Sequence, residues 1–326
     1  MKAIFLFPIL FTIGFRFISG QVLRMTHIKY RGAVYMIAVL HENKEKKMIR
    51  VENLTKCYGD FKAVDSLSFE IGDSKVYGFL GPNGAGKTTT MNIITGCLSA
   101  TSGRVLVGDY DIYEQPIEAK RLIGYLPEQP PLYLNETPAE YLYFVGEAKG
   151  LSGDELERQV SEAIHRTGIY DVKYKRIGAL SKGYKQRVGI AQALLGNPKV
   201  IILDEPTVGL DPIQIIEIRD LIRGLGETHT VIFSSHILSE VQAICDEIII
   251  ISKGELKAFD KTENFDNLEE AFLKYTEAVT TESPDMNIKK RKRNKKTETV
   301  ARQEAADEAA ADNINEDADA ESEVNK

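Results

Sequence analysis

The chain has 326 residues, 43% of them hydrophobic, enough to bury the core of one large or two medium domains. Its formal net charge of -7 runs against the basic surplus of a nucleic-acid protein, so no nucleic-acid partner is expected. Three cysteines, Cys57, Cys97 and Cys245, form no close pair, which excludes a disulfide framework or a zinc site and fits a reducing compartment.

Residues 1–47 stand apart as an N-terminal extension. Its first stretch is mostly apolar, with Lys2 in front and Arg16 inside it, like a signal peptide or a poor membrane span. The uncharged part, Ala3 to Phe15, falls short of the ~20 residues of a spanning helix. Met48 opens the next domain cleanly and no structural plan is evident before it. The favoured expectation is therefore a start misassigned upstream of Met48, with a membrane-associated extension as the alternative.

One domain is expected from Met48 to about Tyr275. Lys75 to Leu80 is apolar and β-prone, and Thr89 to Thr95 reads as the first turns of a helix. Between them runs GPNGAGKTT, with Gly81, Pro82, Asn83, Gly84, Ala85, Gly86, Lys87, Thr88 and Thr89 in the spacing of a phosphate cradle. Glycines let successive backbone N–H groups point at an anion, and the helix start adds its partial positive charge. Lys87 would reach the β- and γ-phosphates and the Thr88 hydroxyl would ligate Mg²⁺.

Farther along, Thr137-Pro138-Ala139-Glu140 is a capping box with proline at the first helical position, so a helix through Tyr141, Leu142, Phe144 and Val145 follows. A second helix is expected from about Ser152 to Arg166, stopping before Gly168. Ser181 and Gly183 then stand at another helix start, in a segment from Leu180 to Pro198. One nucleotide does not need two helix-start cradles in one subunit, so this second cradle invites a partner molecule.

Lys199 to Leu203 is a continuous aliphatic run ending in Asp204 and Glu205, the pattern of a central parallel strand buried on both faces. Ligand groups of such sheets gather at the carboxyl ends of strands. Asp204 is placed there to hold Mg²⁺, and Glu205 to polarise a water toward the γ-phosphate. A second buried strand, Thr230 to Ser235, leads into His236, which would share that edge as a γ-phosphate contact. Residues 276–326 form a tail that from about Glu282 onward loses hydrophobic periodicity, with a basic block from Lys289 to Lys296 and an acidic stretch from Glu304 to Glu323. A disordered charged tail is expected there.

Taken together, these motifs resemble the ATP-binding subunit of an ABC transporter, over about Met48 to Tyr275. GPNGAGKTT is similar to the family's Walker A, IILDEP to its Walker B, LSKGYKQ to its LSGGQ signature, Gly209 to Asp211 to its D-loop, and His236 to its switch histidine. The resemblance implies an α/β fold: a P-loop core of mainly parallel sheet with flanking helices, an antiparallel β subdomain and an inserted helical subdomain over about 130–192. It implies ATP as ligand and substrate with Mg²⁺, and catalytic roles for Lys87, Glu205 and His236. It also implies a homodimer, or a pair with a homologous ATPase subunit, in which Ser181 and Gly183 of one copy cap the γ-phosphate held by Lys87 of the other. Asp211 would cross that interface and Tyr58 would stack on adenine.

Two positions depart from the family pattern. Lys182 and Tyr184 replace a glycine and a glutamine of the signature, while the serine and second glycine remain. The family's Q-loop glutamine ends a strand similar to Ile123 to Pro127. Counting puts Glu128 in register and Gln129 one residue late, with Gln129 favoured as the metal and water contact. The resemblance further implies a separate transmembrane permease, with Tyr133 and Tyr141 as either contacts for it or core residues, and a peripheral location on the cytoplasmic face of the inner membrane. Within the family the sequence is most similar to exporters of the ABC-2 type. The alternative is a soluble ABC-type ATPase acting on ribosomes or DNA.

Overall fold

The computed structural model describes residues 47–276 in full and, before them, the backbone of three strands, β1 (Phe5–Pro8), β2 (Gln21–Tyr30) and β3 (Ala33–Glu42). Strand β3 pairs antiparallel with both β1 and β2. Where the sequence shows no plan, β-prone residues such as Val22, Ile28, Val34, Tyr35 and Val39 thus join a small sheet. The remainder of the apolar extension and the charged tail beyond Thr276 lie outside the described residues. Among the described residues no helix is long and apolar enough to cross a membrane.

The main body begins with β4 (Ile49–Tyr58), β5 (Phe61–Ile71) and β6 (Val76–Leu80), followed by α1 (Lys87–Ile94), β7 (Ser102–Val107) and β8 (Tyr110–Asp111). Next come α2 (Pro116–Arg121), β9 (Ile123–Leu126), α3 (Pro138–Ala148), α4 (Gly153–Arg166) and α5 (Lys182–Leu194). Strand β10 (Val200–Leu203), α6 (Pro212–Gly226), β11 (Thr230–Ser235), α7 (Leu238–Ile244), β12 (Glu247–Ser252), β13 (Glu255–Lys261) and α8 (Leu268–Thr276) complete it.

A six-stranded sheet runs in the order β13-β12-β6-β11-β10-β9, parallel except for the edge strand β13. An antiparallel sheet, β5-β4-β7-β8, supplies a second layer. Strand alternation decides which layer each side chain enters. Val76, Leu80, Ile201, Leu203, Val231, Phe233, Ile248 and Ile250 join a core with helices α3 to α8. Their neighbours Tyr77, Phe79, Val200, Ile202, Ile232, Ile249 and Ile251 join a core with α1 and the antiparallel sheet. Burial on both faces is why these strands read as unbroken aliphatic runs.

The helical insertion forms as its caps dictate. Thr137 Oγ1 accepts from Glu140 N at 3.3 Å and Glu140 Oε2 accepts from Thr137 N at 2.9 Å, closing the capping box. Helix α4 buries Leu156, Val160, Ala163 and Ile164, one face of a 3.6-residue period, and Gly168 follows its end at φ 66°. Of the two readings of Tyr141, burial selects the core residue over the partner contact, and it pushes the phenol up to about 12. Its helical position faces inward with Leu142, whereas Phe144 points out beside the exposed Tyr133, with ring centroids 5.4 Å apart. Lys149 seals the end of α5 by donating to Gln192 O and Leu195 O at 2.9 and 2.7 Å, and burial lowers it to about 8.

Candidate functional site

Because β6, β9, β10 and β11 are parallel, their carboxyl ends open on one edge, and each ends in a segment that the sequence singles out. After Leu80, the turn from Gly81 to Gly86 delivers the chain into α1. Gly86 is the N-cap residue at φ 101°, and a Cβ there would come within 2.5 Å of Ala63 O, so only glycine fits. The turn is tied internally by Ala85 N to Pro82 O at 3.1 Å and externally by Gly254 N to Ala85 O at 3.0 Å. Asn83, Gly84 and Thr88 are exposed, Pro82 and Thr89 half-buried. The buried Lys87 bends back so that Nζ donates to Gly81 O at 2.8 Å and lies 3.4 Å from Glu205 Oε1.

Close by, the two carboxylates at the end of β10 are held in different ways. Asp204 is fully buried: Oδ1 accepts from Ser234 Oγ at 2.6 Å, and Oδ2 has no partner. An orphaned buried carboxylate oxygen, Asp204 Oδ2, and an exposed threonine hydroxyl, Thr88, are oxygen donors of the kind that fits Mg²⁺. Glu205 adopts φ 49°, a left-handed backbone that a non-glycine residue rarely takes. Its N–H donates to the same Ser234 Oγ at 2.8 Å, so one hydroxyl orients both acidic residues.

Glu205 Oε2 lies 2.8 Å from His236 Nδ1. A carboxylate accepts only, so Nδ1–H donates, and Nε2 of the half-exposed ring remains for another ligand. Lys87, Glu205 and His236 thus meet in one cluster with Asp204 behind them. Tyr125, on the neighbouring strand β9, donates to Asn92 Oδ1 at 3.1 Å; burial and then the Asp204 charge push its phenol well above the usual range. Glu128 and Gln129 are both exposed just past the end of β9, which pairs with β10 through Leu126 and Leu203.

Tyr58, the last residue of β4, and Phe61, the first of β5, pair across the turn between them and are 51% and 64% exposed. Ala63, next along β5, packs its carbonyl on Gly86, which sets this aromatic pair beside the phosphate turn. The sequence offered no reason to notice Phe61.

A different surface carries the second helix start. Ser181 caps α5, its Oγ accepting from Tyr184 N at 3.4 Å, and Asp211 caps α6, accepting from Gln214 N at 2.9 Å. Gly183 is buried against Gln214, and the Lys182 side chain lies over Gly209, so both caps share one face. Arg187 fastens it by donating to Glu217 Oε2 at 2.7 Å and Thr167 O at 2.9 Å. Among the described residues no hydrogen bond or ion pair joins Ser181, Gly183 or Asp211 to the Gly81 to Thr89 turn.

Sequence reasoning missed Ser234, Ser235, Thr207 and Glu240, all buried around this edge. One signal was present: two consecutive serines close an otherwise aliphatic buried strand, where each hydroxyl needs a partner.

Residues 64–208 match the family described as ABC transporter. The uncharacterized ABC transporter ATP-binding protein YxlF of Bacillus subtilis (strain 168) is 41% identical over 210 residues, 64% of this chain and 69% of that protein. The bacitracin transport ATP-binding protein BcrA of Bacillus licheniformis is 39% identical over 232 residues, 71% of this chain and 74% of that protein. Among solved structures, the dimeric post-hydrolysis state of the ATP-binding cassette MJ0796 bound to ADP and Pi aligns with a TM-score of 0.60 at 27% identity, covering 66% of this chain and 99% of that one. The chain belongs to the ATP-binding proteins of ABC transporters, and is an ATPase of that α/β fold. This membership decides for the transporter reading over the ribosome- or DNA-acting alternative.

Proposed function

We propose that this ABC transporter ATP-binding protein hydrolyses ATP in a head-to-tail dimer and drives a separate transmembrane permease that exports its cargo. The observation that carries this reading is Glu205, set between Lys87 and His236 at the end of β10. Lys87 would leave Gly81 O and Glu205 for the β- and γ-phosphates, releasing the Glu205 carboxylate to orient the attacking water. The backbone of Gly81 to Thr89 would cradle the phosphates, and Tyr58 would stack on the base. His236 Nε2 would contact the γ-phosphate, holding the water and the phosphoryl group in line.

Thr88 and Asp204 would hold Mg²⁺, with Gln129 or Glu128 supplying a further oxygen from the end of β9. When bound, the ion counters charge on the phosphoryl oxygens. Ser181 and Gly183 would cap the γ-phosphate held by a second copy, with Asp211 crossing between the two sites. The exposure of Ser181 and Asp211 on one shared face supports this arrangement, as does the dimeric ADP- and Pi-bound relative. Closure around two triphosphates would follow from neutralising their charge from both sides.

The exposed pair Tyr133 and Phe144 offers the permease an aromatic contact on the helical insertion. Export is supported by the similarity to the bacitracin transport protein, and the permease would seat the chain on the cytoplasmic face of the inner membrane. Glu205→Gln tests the reading. It should retain ATP binding, lower turnover on the order of 10²-fold or more and trap an ATP-dependent dimer on size exclusion. Unchanged turnover would remove Glu205 from its role.

A further inference from the structure

Glu240, on α7, is 2% exposed and faces none of the groups assigned to the phosphates. Its Oε2 accepts from Thr207 Oγ1 at 2.7 Å and from Ser235 Oγ at 3.0 Å, while Oε1 is buried without a partner. A carboxyl group half-satisfied in the interior is costly, and an apolar residue of similar size would pack there at less cost. Its two donors come from the two segments that carry the cluster: Thr207 lies between Glu205 and Asp211, and Ser235 directly precedes His236. Ser235 Oγ also accepts from Ile237 N at 3.0 Å, so the backbone on both sides of His236 is pinned to this bridge.

The bridge runs parallel to the direct hydrogen bond between Glu205 and His236. In the reaction proposed above, Lys87 leaves Glu205, whose carboxylate turns to a water while His236 Nε2 takes up a phosphate, so the direct bond is loaded from both ends. Thr207, Glu240 and Ser235 use neither side chain, and their contact is buried. We propose that Glu240 is a positioning residue: through Thr207 and Ser235 it holds the Glu205 and His236 segments at a fixed spacing while Glu205 turns from Lys87 to the water and His236 takes up the phosphate. It also ties the stretch leading to Asp211 to the His236 loop. This inference rests on the roles proposed for Glu205 and His236.

Steady-state ATPase kinetics of the full chain test it. Glu240→Ala should lower kcat on the order of tenfold, as loss of a supporting hydrogen-bond partner does, with KM for ATP within about twofold. Glu240→Gln, whose amide oxygen still accepts both hydroxyls, should keep most of the turnover. A wild-type kcat in Glu240→Ala, or equal losses in the Ala and Gln variants, overturns the proposal.

Should Glu240→Ala fail to fold, Thr207→Val, Ser235→Ala and their combination decide. A bridge in series breaks once, so the double variant should turn over no more slowly than the slower single one, whereas multiplicative losses overturn the proposal. Glu205→Gln and His236→Ala serve as references. If they leave turnover intact, the reading of the site itself fails; if they abolish it while the bridge variants do not, only the bridge fails.

Discussion

The edge formed by β6, β10 and β11 and the face formed by the starts of α5 and α6, both proposed to meet phosphate, are finished to different degrees. At the edge, Lys87, Asp204 and Glu205 are buried and held by Gly81, Ser234 and His236. On the face, Ser181 and Asp211 are exposed and satisfy only their own helix starts. In the proposed dimer a single chain therefore preorganises the chemistry but leaves the lid to another molecule. Catalysis by positioning gains most from groups fixed in advance, whereas a surface that must open and close each cycle has to stay accessible.

The largest expected effect strikes the preorganised edge. Lys87→Ala removes the cation that faces the phosphates and should lower kcat/KM for ATP on the order of 10²- to 10³-fold, measured by phosphate release. A loss under tenfold would mean that the edge is less committed than its burial suggests.

Mixing two inactive proteins probes the division of labour directly. Lys87→Ala lacks the edge and Gly183→Asp lacks the face, so random pairing should restore about a quarter of the wild-type sites in a two-fold dimer. No recovery of ATPase activity on mixing would indicate that each chain works alone.

Two smaller effects should leave both surfaces untouched. Thr137→Ala opens the capping box of α3 and should cost about 1 kcal/mol in urea unfolding without moving KM for ATP. His229 lies at the far end of β11, with Nδ1–H donating to Pro198 O at 2.9 Å and Nε2 accepting from Arg166 Nη1 at 3.2 Å. Burial, reinforced by Arg166 and Lys199 against the pull of Pro198 O, holds its ring below the usual histidine range. The unfolded chain therefore binds the proton first as pH falls below ~6.5. Stability from His229 is complete above that value and is lost as pH descends toward the lowered folded value. Replacing it by Asn should flatten the fall in unfolding free energy between pH 7 and 5, and an unchanged slope would assign that fall to other groups.

Much of the proposed phosphate edge could be placed from the sequence because its geometry is local. The glycine spacing from Gly81 to Gly86 is set by the turn itself, Asp204 and Glu205 follow a strand whose unbroken aliphatic run announces burial on both faces, and His236 follows a mostly apolar one. The capping box at Thr137 and Glu140 needs only three residues of separation. Tyr141 and Tyr133 could not be told apart by type, since the helix rotation that buries one and exposes the other is fixed by what packs around them. Glu240 escaped notice for the same reason: its partners, Thr207 and Ser235, come from other parts of the chain.

The sequence alone determined the family, the parallel core and the candidate residues proposed to face phosphate, because turns, caps and strand runs depend on neighbours a few positions away. Only the tertiary structure decided which oxygen of Asp204 is left without a partner, that one serine hydroxyl orients both acidic residues, and that a buried carboxyl group joins the Glu205 and His236 segments. Those facts depend on side chains meeting across strands and helices far apart in the chain, where burial removes water as an alternative partner and makes each hydrogen bond count.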